Sequence, residues 1–119
     1  MSQKIELKKG SRLPSWVFQV RRKDPVTDKW EDDDLSDVTA VKIYMKNVDT
    51  DVVKIAGTAG SVYDLANALI EYSPAAVDVD TVGTYTLEYE LTRTGGKTQT
   101  LPSGEYEDVY VIISEDNKA

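Results

Sequence analysis

A strict two-residue alternation of apolar and polar side chains constrains this chain more than any other feature of its sequence. Its clearest example spans residues 84–93, where every second residue from Tyr85 to Leu91 is large and apolar and the residues between them are Thr or Glu. Successive side chains of a β-strand point to opposite faces, so this pattern predicts a strand with one buried face and one solvent-exposed face. The same alternation predicts strands over residues 16–21 and 38–46.

Turn-forming residues separate these segments at short intervals. Gly95-Gly96 is the strongest hairpin signal, and it predicts that residues 84–93 are followed by a strand over residues 97–101. Further strands are predicted over residues 52–55 and 106–114. We therefore expect residues 1–119 to form a single domain, an immunoglobulin-like antiparallel β-sandwich with about seven to nine strands. Residues 115–119 are expected to be a frayed tail.

Residues 61–69 fit two different structures. Apolar residues recur at helical spacing from Val62 to Leu69, with Ser61 as the N-cap, and this predicts a short helix. The alternative is a hairpin in which Asn67 supplies the left-handed turn residue. The hairpin is favoured because the neighbouring sequence has no other helical pattern.

The segment entering the strand over residues 84–93 resembles a tyrosine corner. Immunoglobulin-like domains place a tyrosine near the start of their penultimate strand, and its hydroxyl bonds back to the preceding backbone. Here Tyr85 follows Gly83, and Leu87 stands where disulfide-bonded members carry cysteine. The pattern predicts a structural feature of the fold, because such a corner stabilises a connection and contacts no ligand.

The chain contains neither cysteine nor histidine. Disulfides, thiolate nucleophiles, imidazole bases and the usual zinc ligands are therefore excluded, and carboxylates, lysine and tyrosine are what remains for catalysis. No motif organises those groups into a reaction centre, so we expect no enzymatic activity and no cofactor. The chain also lacks the run of about 20 apolar residues that a membrane span needs, and its opening does not resemble a secretory signal.

The net charge of −7 is distributed unevenly along the chain. Residues 1–30 hold eight Lys and Arg against three Asp and Glu, whereas residues 31–119 hold six against eighteen. One interpretation is a complementary surface that docks with copies of the chain or with a charged neighbour. The other is that basic and acidic strands lie side by side and neutralise one another within the monomer. Acidic groups so outnumber basic ones that nucleic-acid binding is not expected.

Acidic residues cluster at three places in the predicted loops. They are Glu31, Asp32, Asp33 and Asp34 with Asp37, then Asp49 with Asp51, and then Asp78 with Asp80. Oxygen-rich loops of this kind bind Ca²⁺, but none of the three has the complete spacing of a calcium loop. Solvated acidic loops are the alternative interpretation.

The predicted contact residues come from the two charged regions and from one tryptophan. Trp16 falls on the apolar face of its strand and is expected in the core, whereas Trp30 lies in a polar segment and is the better contact residue. We expect residues 1–12 to leave the sandwich as an arm that lies on a neighbouring subunit. The predicted contact residues are Lys4, Lys8, Lys9, Arg12, Trp30, Glu31, Asp32, Asp33 and Asp34.

The order of these segments resembles a known family of bacteriophage proteins. The segments that carry the resemblance are residues 8–14, residues 38–46, Leu69–Tyr72, Gly83-Thr84-Tyr85, residues 88–91, Gly95-Gly96-Lys97 and Leu101-Pro102. Together they resemble the N-terminal immunoglobulin-like domain of the baseplate upper proteins of tailed bacteriophages.

The resemblance implies a virion component, assembled in the host cytoplasm, that binds other virion proteins or copies of itself. In that family a long C-terminal extension holds receptor-binding proteins, whereas this sequence ends at Ala119. A tail or baseplate accessory, an adaptor or a capsid decoration protein is therefore expected. The alternative is an adhesion module that binds Ca²⁺ or carbohydrate, for which Trp30 and a few tyrosines would form the aromatic platform.

Overall fold

The computed structural model describes residues 2–102 and 106–115. Within them the chain forms ten strands and one 3₁₀ turn over Ala76–Val79. The strands are β1 (Ser2–Lys8), β2 (Trp16–Gln19), β3 (Arg21–Lys23), β4 (Trp30–Asp32), β5 (Val38–Asn47), β6 (Val53–Asp64), β7 (Leu69–Tyr72), β8 (Gly83–Arg93), β9 (Lys97–Leu101) and β10 (Asp108–Ser114). The all-β prediction is confirmed. The number of strands exceeds the predicted seven to nine, in part because the expected strand over residues 16–21 divides at Val20 into β2 and β3.

The strands follow the order β1-β10-β8-β5-β6-β7-β2, and β9 pairs with the second half of β8. The first half of β6 pairs with β5 and its second half pairs with β7, so this long strand passes from one layer to the other. One layer therefore contains β1, β10, β8 and β5, and the facing layer contains β7 and β2. This is the arrangement of an immunoglobulin-like sandwich. The hairpin of β3 and β4 forms a small separate sheet.

The alternating strands bury their apolar faces in one shared core. In β8 the four residues at alternate positions from Tyr85 to Leu91 are all buried, as the sequence predicts. Trp16 is also buried, which confirms its assignment to the core. The apolar positions of the alternating segments over residues 16–21, 38–46 and 106–114 are predicted to face the same core. Those that are buried include Phe18, Val20, Val41, Ile43, Val111 and Ile113.

The tyrosine corner is present. The Tyr85 hydroxyl donates a hydrogen bond to the backbone oxygen of Thr81 at 2.7 Å. A Cβ atom at Gly83 would lie 2.7 Å from the Asn47 side-chain nitrogen, so only glycine fits this close approach. The predicted structural role of this segment is confirmed.

Residues 61–69 form a hairpin and not a helix. β6 ends at Asp64, β7 begins at Leu69, and the two strands are antiparallel. The predicted turn residue is wrong, because the positive φ of 52° belongs to Ala68 and not to Asn67. The side-chain amide of Asn67 instead donates to the Asp64 carboxylate at 2.8 Å, which lowers the pKa of that carboxyl.

The N-terminal segment is part of the sandwich, so the predicted arm over residues 1–12 is wrong. β1 pairs in parallel with β10, and its residues Ile5 and Leu7 pack against the core. Gln3 also joins β1 to the opposite layer, because its side chain donates to the backbone oxygen of Gln19 and accepts from the Gln19 N–H. Burying one face of β1 and pairing its backbone together hold this segment in place.

The C-terminal prediction falls almost wholly beyond the described residues. Glu115 follows the last strand, and the rest of the expected frayed tail lies outside the described part of the chain. No helix among the described residues has the length and apolar character needed to cross a membrane.

Candidate functional site

The acidic segment that begins at Trp30 is partly paired with basic residues of the same chain. β4 runs antiparallel to β3, with Asp32 opposite Arg21 and Trp30 opposite Lys23. The Arg21 Nε atom lies 4.0 Å from an Asp32 carboxylate oxygen. At this hairpin the basic and acidic strands therefore neutralise one another, as one interpretation of the charge distribution predicts. Trp30 is half-buried, and Glu31 and Asp32 are exposed.

Asp33 and Asp34 anchor their loop to the sandwich. The guanidinium of Arg93, at the end of β8, lies 3.2 Å from an Asp33 carboxylate oxygen and 2.6 Å from an Asp37 carboxylate oxygen. It also donates to the backbone oxygen of Asp34 at 2.9 Å. The N–H of Ser36 donates to the Asp34 carboxylate, which lowers the pKa of Asp34. Asp33 therefore has a role inside the monomer and not at a free surface.

The basic residues predicted at the interface lie on β1 and in the segment that follows it. Lys4 and Lys8 are exposed on β1, Lys9 follows them, and the Arg12 Nε atom donates to the backbone oxygen of Pro74 at 3.2 Å. In the described part of the chain no ion pair joins these residues to the acidic segment of β4. The nine predicted contact residues therefore fall into two groups, one along β1 and the segment after it and one along β4 and the segment after it.

The Asp78 and Asp80 carboxylates are occupied by partners within the chain, and in the other Asp-x-Asp pair an Asp51 carboxylate oxygen lies 3.8 Å from the Lys46 Nζ atom. The buried Asp78 carboxylate accepts from the Tyr72 hydroxyl at 2.6 Å and from the Ala75 N–H at 2.8 Å. Lys54 pairs with Asp80 and lowers the pKa of that carboxyl. In residues 2–102 and 106–115 there is no group of three or more potential ligands arranged to hold a metal ion.

These contacts lead to a prediction for calcium. A ligand that binds only the native state raises the melting midpoint. Because we expect no Ca²⁺ site, thermal melts with millimolar Ca²⁺ and with chelator are expected to coincide. The carboxylates of Asp33, Asp34, Asp37, Asp78 and Asp80 already have donors within the chain. A reproducible rise of the midpoint in Ca²⁺, absent in Mg²⁺ at the same ionic strength, would instead support the calcium-dependent adhesion module.

A cluster of exposed valines lies at one end of the sandwich, and the sequence did not predict it. Val48, Val52, Val53 and Val82, here called the valine patch, are between 39% and 59% exposed. The N–H of Val48 bonds to the backbone oxygen of Thr84, which places the turn after β5 beside the start of β8. The Asn47 N–H bonds to the Val52 oxygen and closes the turn. Tight backbone bonds therefore hold apolar side chains toward solvent.

The outer face of the larger layer carries shallow grooves. One, of about 200 Å³, is lined by Tyr44, Met45, Lys46, Val53, Thr86 and Glu88. Another, of about 160 Å³, shares Thr86 and Glu88 with it and extends to Asp108 and Tyr110 on β10. These shallow grooves of mixed polarity are typical of a surface that contacts other macromolecules.

Comparison with known proteins identifies no relative. No protein-family model matches the chain. A search of curated proteins finds no match either.

Proposed function

We propose that this chain is a structural protein of a bacteriophage particle, a tail or baseplate accessory, adaptor or capsid decoration protein that acts by protein–protein assembly. The valine patch is the observation that carries the proposal. Exposed apolar patches on a folded domain are typical of protein-binding sites. The resemblance of the strand order to baseplate upper proteins supports the choice of a phage particle.

The backbone that carries the valine patch is ordered, which favours binding of a partner. Val48 and Val52 lie on a turn fixed by backbone hydrogen bonds and by the Asn47 side chain, which accepts from the Asp49 N–H at 2.8 Å and from the Thr50 N–H at 3.0 Å. A surface that is already ordered loses little conformational entropy when a partner covers it.

Repetition explains how one small patch suffices. A particle built from many identical subunits presents the same partner site many times. Modest contacts made in parallel then add through effective concentration. A domain of 119 residues has room for one or two interfaces of standard size, which fits an accessory placed between larger subunits.

The test is association with particles. We expect the chain to co-purify with particles of the phage that encodes it through density-gradient centrifugation. Val52→Asp is expected to raise the dissociation constant for particles at least about tenfold, because a carboxylate buried at an interface without a partner costs more than the ~1.4 kcal/mol of a tenfold change. Val52 is 59% exposed, so the isolated variant is expected to keep its melting temperature.

Val26→Asp is the matched control. Val26 is 91% exposed and lies in the turn between β3 and β4, away from the valine patch. This variant receives the same charge and is expected to bind particles like the unmodified chain. If the unmodified chain never associates with particles, the virion proposal is wrong; if Val52→Asp binds normally, the valine patch is not the contact.

A further inference from the structure

The outer face of β5 and β8 carries two charged rows of opposite sign. Lys42 and Lys46 are exposed on β5, and Glu88 and Glu90 occupy the corresponding face of β8. In the strand register Lys42 is directly opposite Glu90, and Tyr44 is opposite Glu88. A lysine row therefore runs beside a glutamate row in the middle of this face.

These charges are largely unused within the monomer. In the described part of the chain, no lysine or arginine nitrogen lies within 4.0 Å of a carboxylate oxygen of Glu88 or Glu90, although Lys42 faces Glu90 across the strands. Lys46 has one ion pair, with Asp51 at 3.8 Å, and both side chains are largely exposed. Exposed pairs of this kind contribute little to stability, so the two rows are available to a partner.

We infer that two copies of the chain pack through this face about a two-fold axis that runs parallel to β5 and β8 and between them. Rotation about that axis places β5 of one copy over β8 of the other and preserves the position along the strand. Lys42 then lies over Glu90 of the second copy, and the symmetry repeats this contact. A surface that is complementary to itself is what a two-fold interface requires.

The charges also exclude the other two-fold arrangement of these faces. An axis in the plane of the face but perpendicular to the strands would place β5 over β5 and β8 over β8. The lysine row would then face lysines and the glutamate row would face glutamates, which is repulsive. Electrostatics therefore favours a single orientation of the pair.

Apolar side chains on the same face contribute the remaining contact. Tyr44 and Val53 line the larger groove, and Tyr110 and Ile112 are half-buried on the neighbouring β10. Strands spaced about 4.8 Å apart, with a rise of about 3.3 Å per residue, give roughly 600 Å² per copy for a face made of β1, β10, β8, β5 and the first half of β6. An interface of this size is at the lower end for a specific contact, so we expect weak association that appears at high protein concentration and low salt.

This self-association would contribute to the assembly role proposed above, and its relevance to a particle rests on that proposed function. Its test uses the purified protein alone, so its outcome is separate from that of the particle experiment. We expect sedimentation equilibrium at low salt to show a monomer–dimer equilibrium that weakens as salt is added, since salt screens the attraction between the charged rows as the two copies approach.

Charge reversal tests the orientation. The double variants Lys42→Glu with Lys46→Glu, and Glu88→Lys with Glu90→Lys, are each expected to weaken self-association at least about tenfold, because each places like charges face to face. An equimolar mixture of the two is expected to form a heterodimer at least as tight as the unmodified dimer. The control is Lys29→Glu with Lys97→Glu, which makes the same change of net charge as the Lys42 and Lys46 variant at exposed residues outside the two rows and is expected to dimerise normally.

Three results would overturn the inference: a chain that stays monomeric at millimolar concentration, reversal variants that dimerise as well as the unmodified chain, or a mixture that forms no heterodimer. Far-UV circular dichroism melts of every variant separate loss of association from loss of folding. Particle binding that persists in both reversal variants would leave the proposed function intact, whatever the outcome here.

Discussion

Leu87→Ala is expected to lower the free energy of unfolding by about 2–5 kcal/mol. Leu87 is 1% exposed and lies on β8, directly opposite Val109 of β10 and Met45 of β5. Removing its side chain beyond Cβ loses the transfer free energy of those atoms. The strands on both sides hold the surrounding side chains in place, so a cavity remains and adds to the cost.

Urea denaturation of the unmodified chain and the variant measures this effect. The matched control is Val26→Ala, which removes apolar atoms from a side chain that is 91% exposed and is expected to change stability by less than about 0.5 kcal/mol. A loss of less than about 1 kcal/mol in Leu87→Ala would contradict the burial of this side chain, because even a core that closes fully around the gap still loses the transfer free energy of the removed atoms.

The features that the sequence predicted correctly depend on local pattern. The residues from Tyr85 to Leu91 alternate because one face of β8 packs into the shared core and its other face lies toward solvent. The bond from the Tyr85 hydroxyl to Thr81 spans only four residues. A period of two and a short-range corner are both visible in a single sequence, because neither requires knowledge of a distant partner.

The errors arise where a distant partner decides the structure. Ile5 and Leu7 alternate with polar residues, but the charges around them favoured an arm in the sequence analysis. Their partner strand β10 lies at the opposite end of the chain, and no local pattern reveals that pairing. The same holds for Val20, whose N–H bonds to the oxygen of Ala68 while its own oxygen accepts from the Asp33 N–H.

The candidate site was predictable only in part, for the same reason. Asp33 resembled a solvated acidic residue, but Arg93 lies 60 residues further along the chain and pairs with it. The valine patch forms because Val48 and Val82 are brought together by the pairing of their strands. The two charged rows likewise depend on the register of β5 against β8. The composition shows how many charged residues the chain has, but it does not show which of them form ion pairs within the folded monomer.

A second large effect is expected at alkaline pH, where the protein should lose stability steeply above about pH 10. Burial raises the pKa of Tyr89, and burial together with the hydrogen bond to Asp78 raises the pKa of Tyr72. Both folded-state pKa values lie above those of the unfolded chain, so the folded protein holds two protons that the unfolded chain releases. This contribution is complete below pH 10 and is lost as the pH rises toward the folded-state values.

Linkage gives the expected slope, which is about 1.4 kcal/mol per pH unit for each tyrosine that stays protonated only in the folded state. From pH 10 to pH 12 Tyr89 alone then costs about 3 kcal/mol, a large share of the stability of a domain this size. Urea denaturation at a series of pH values between 8 and about 12 measures the slope across the tyrosine range.

Tyr89→Phe isolates the cause. The Tyr89 hydroxyl is buried without a hydrogen-bond partner in the described part of the chain, so the variant loses an ionisable group and breaks no such bond. It is expected to match the unmodified chain near pH 8 and to lose stability less steeply above pH 10, by about 1.4 kcal/mol per unit. Tyr63→Phe, at a side chain that is 60% exposed, is the control and should leave the slope unchanged. Equal slopes of unfolding free energy against pH for Tyr89→Phe and the unmodified chain would contradict this prediction. The Tyr89 hydroxyl would then ionise as readily in the folded protein as in the unfolded chain, and its burial would not be the source of alkaline unfolding.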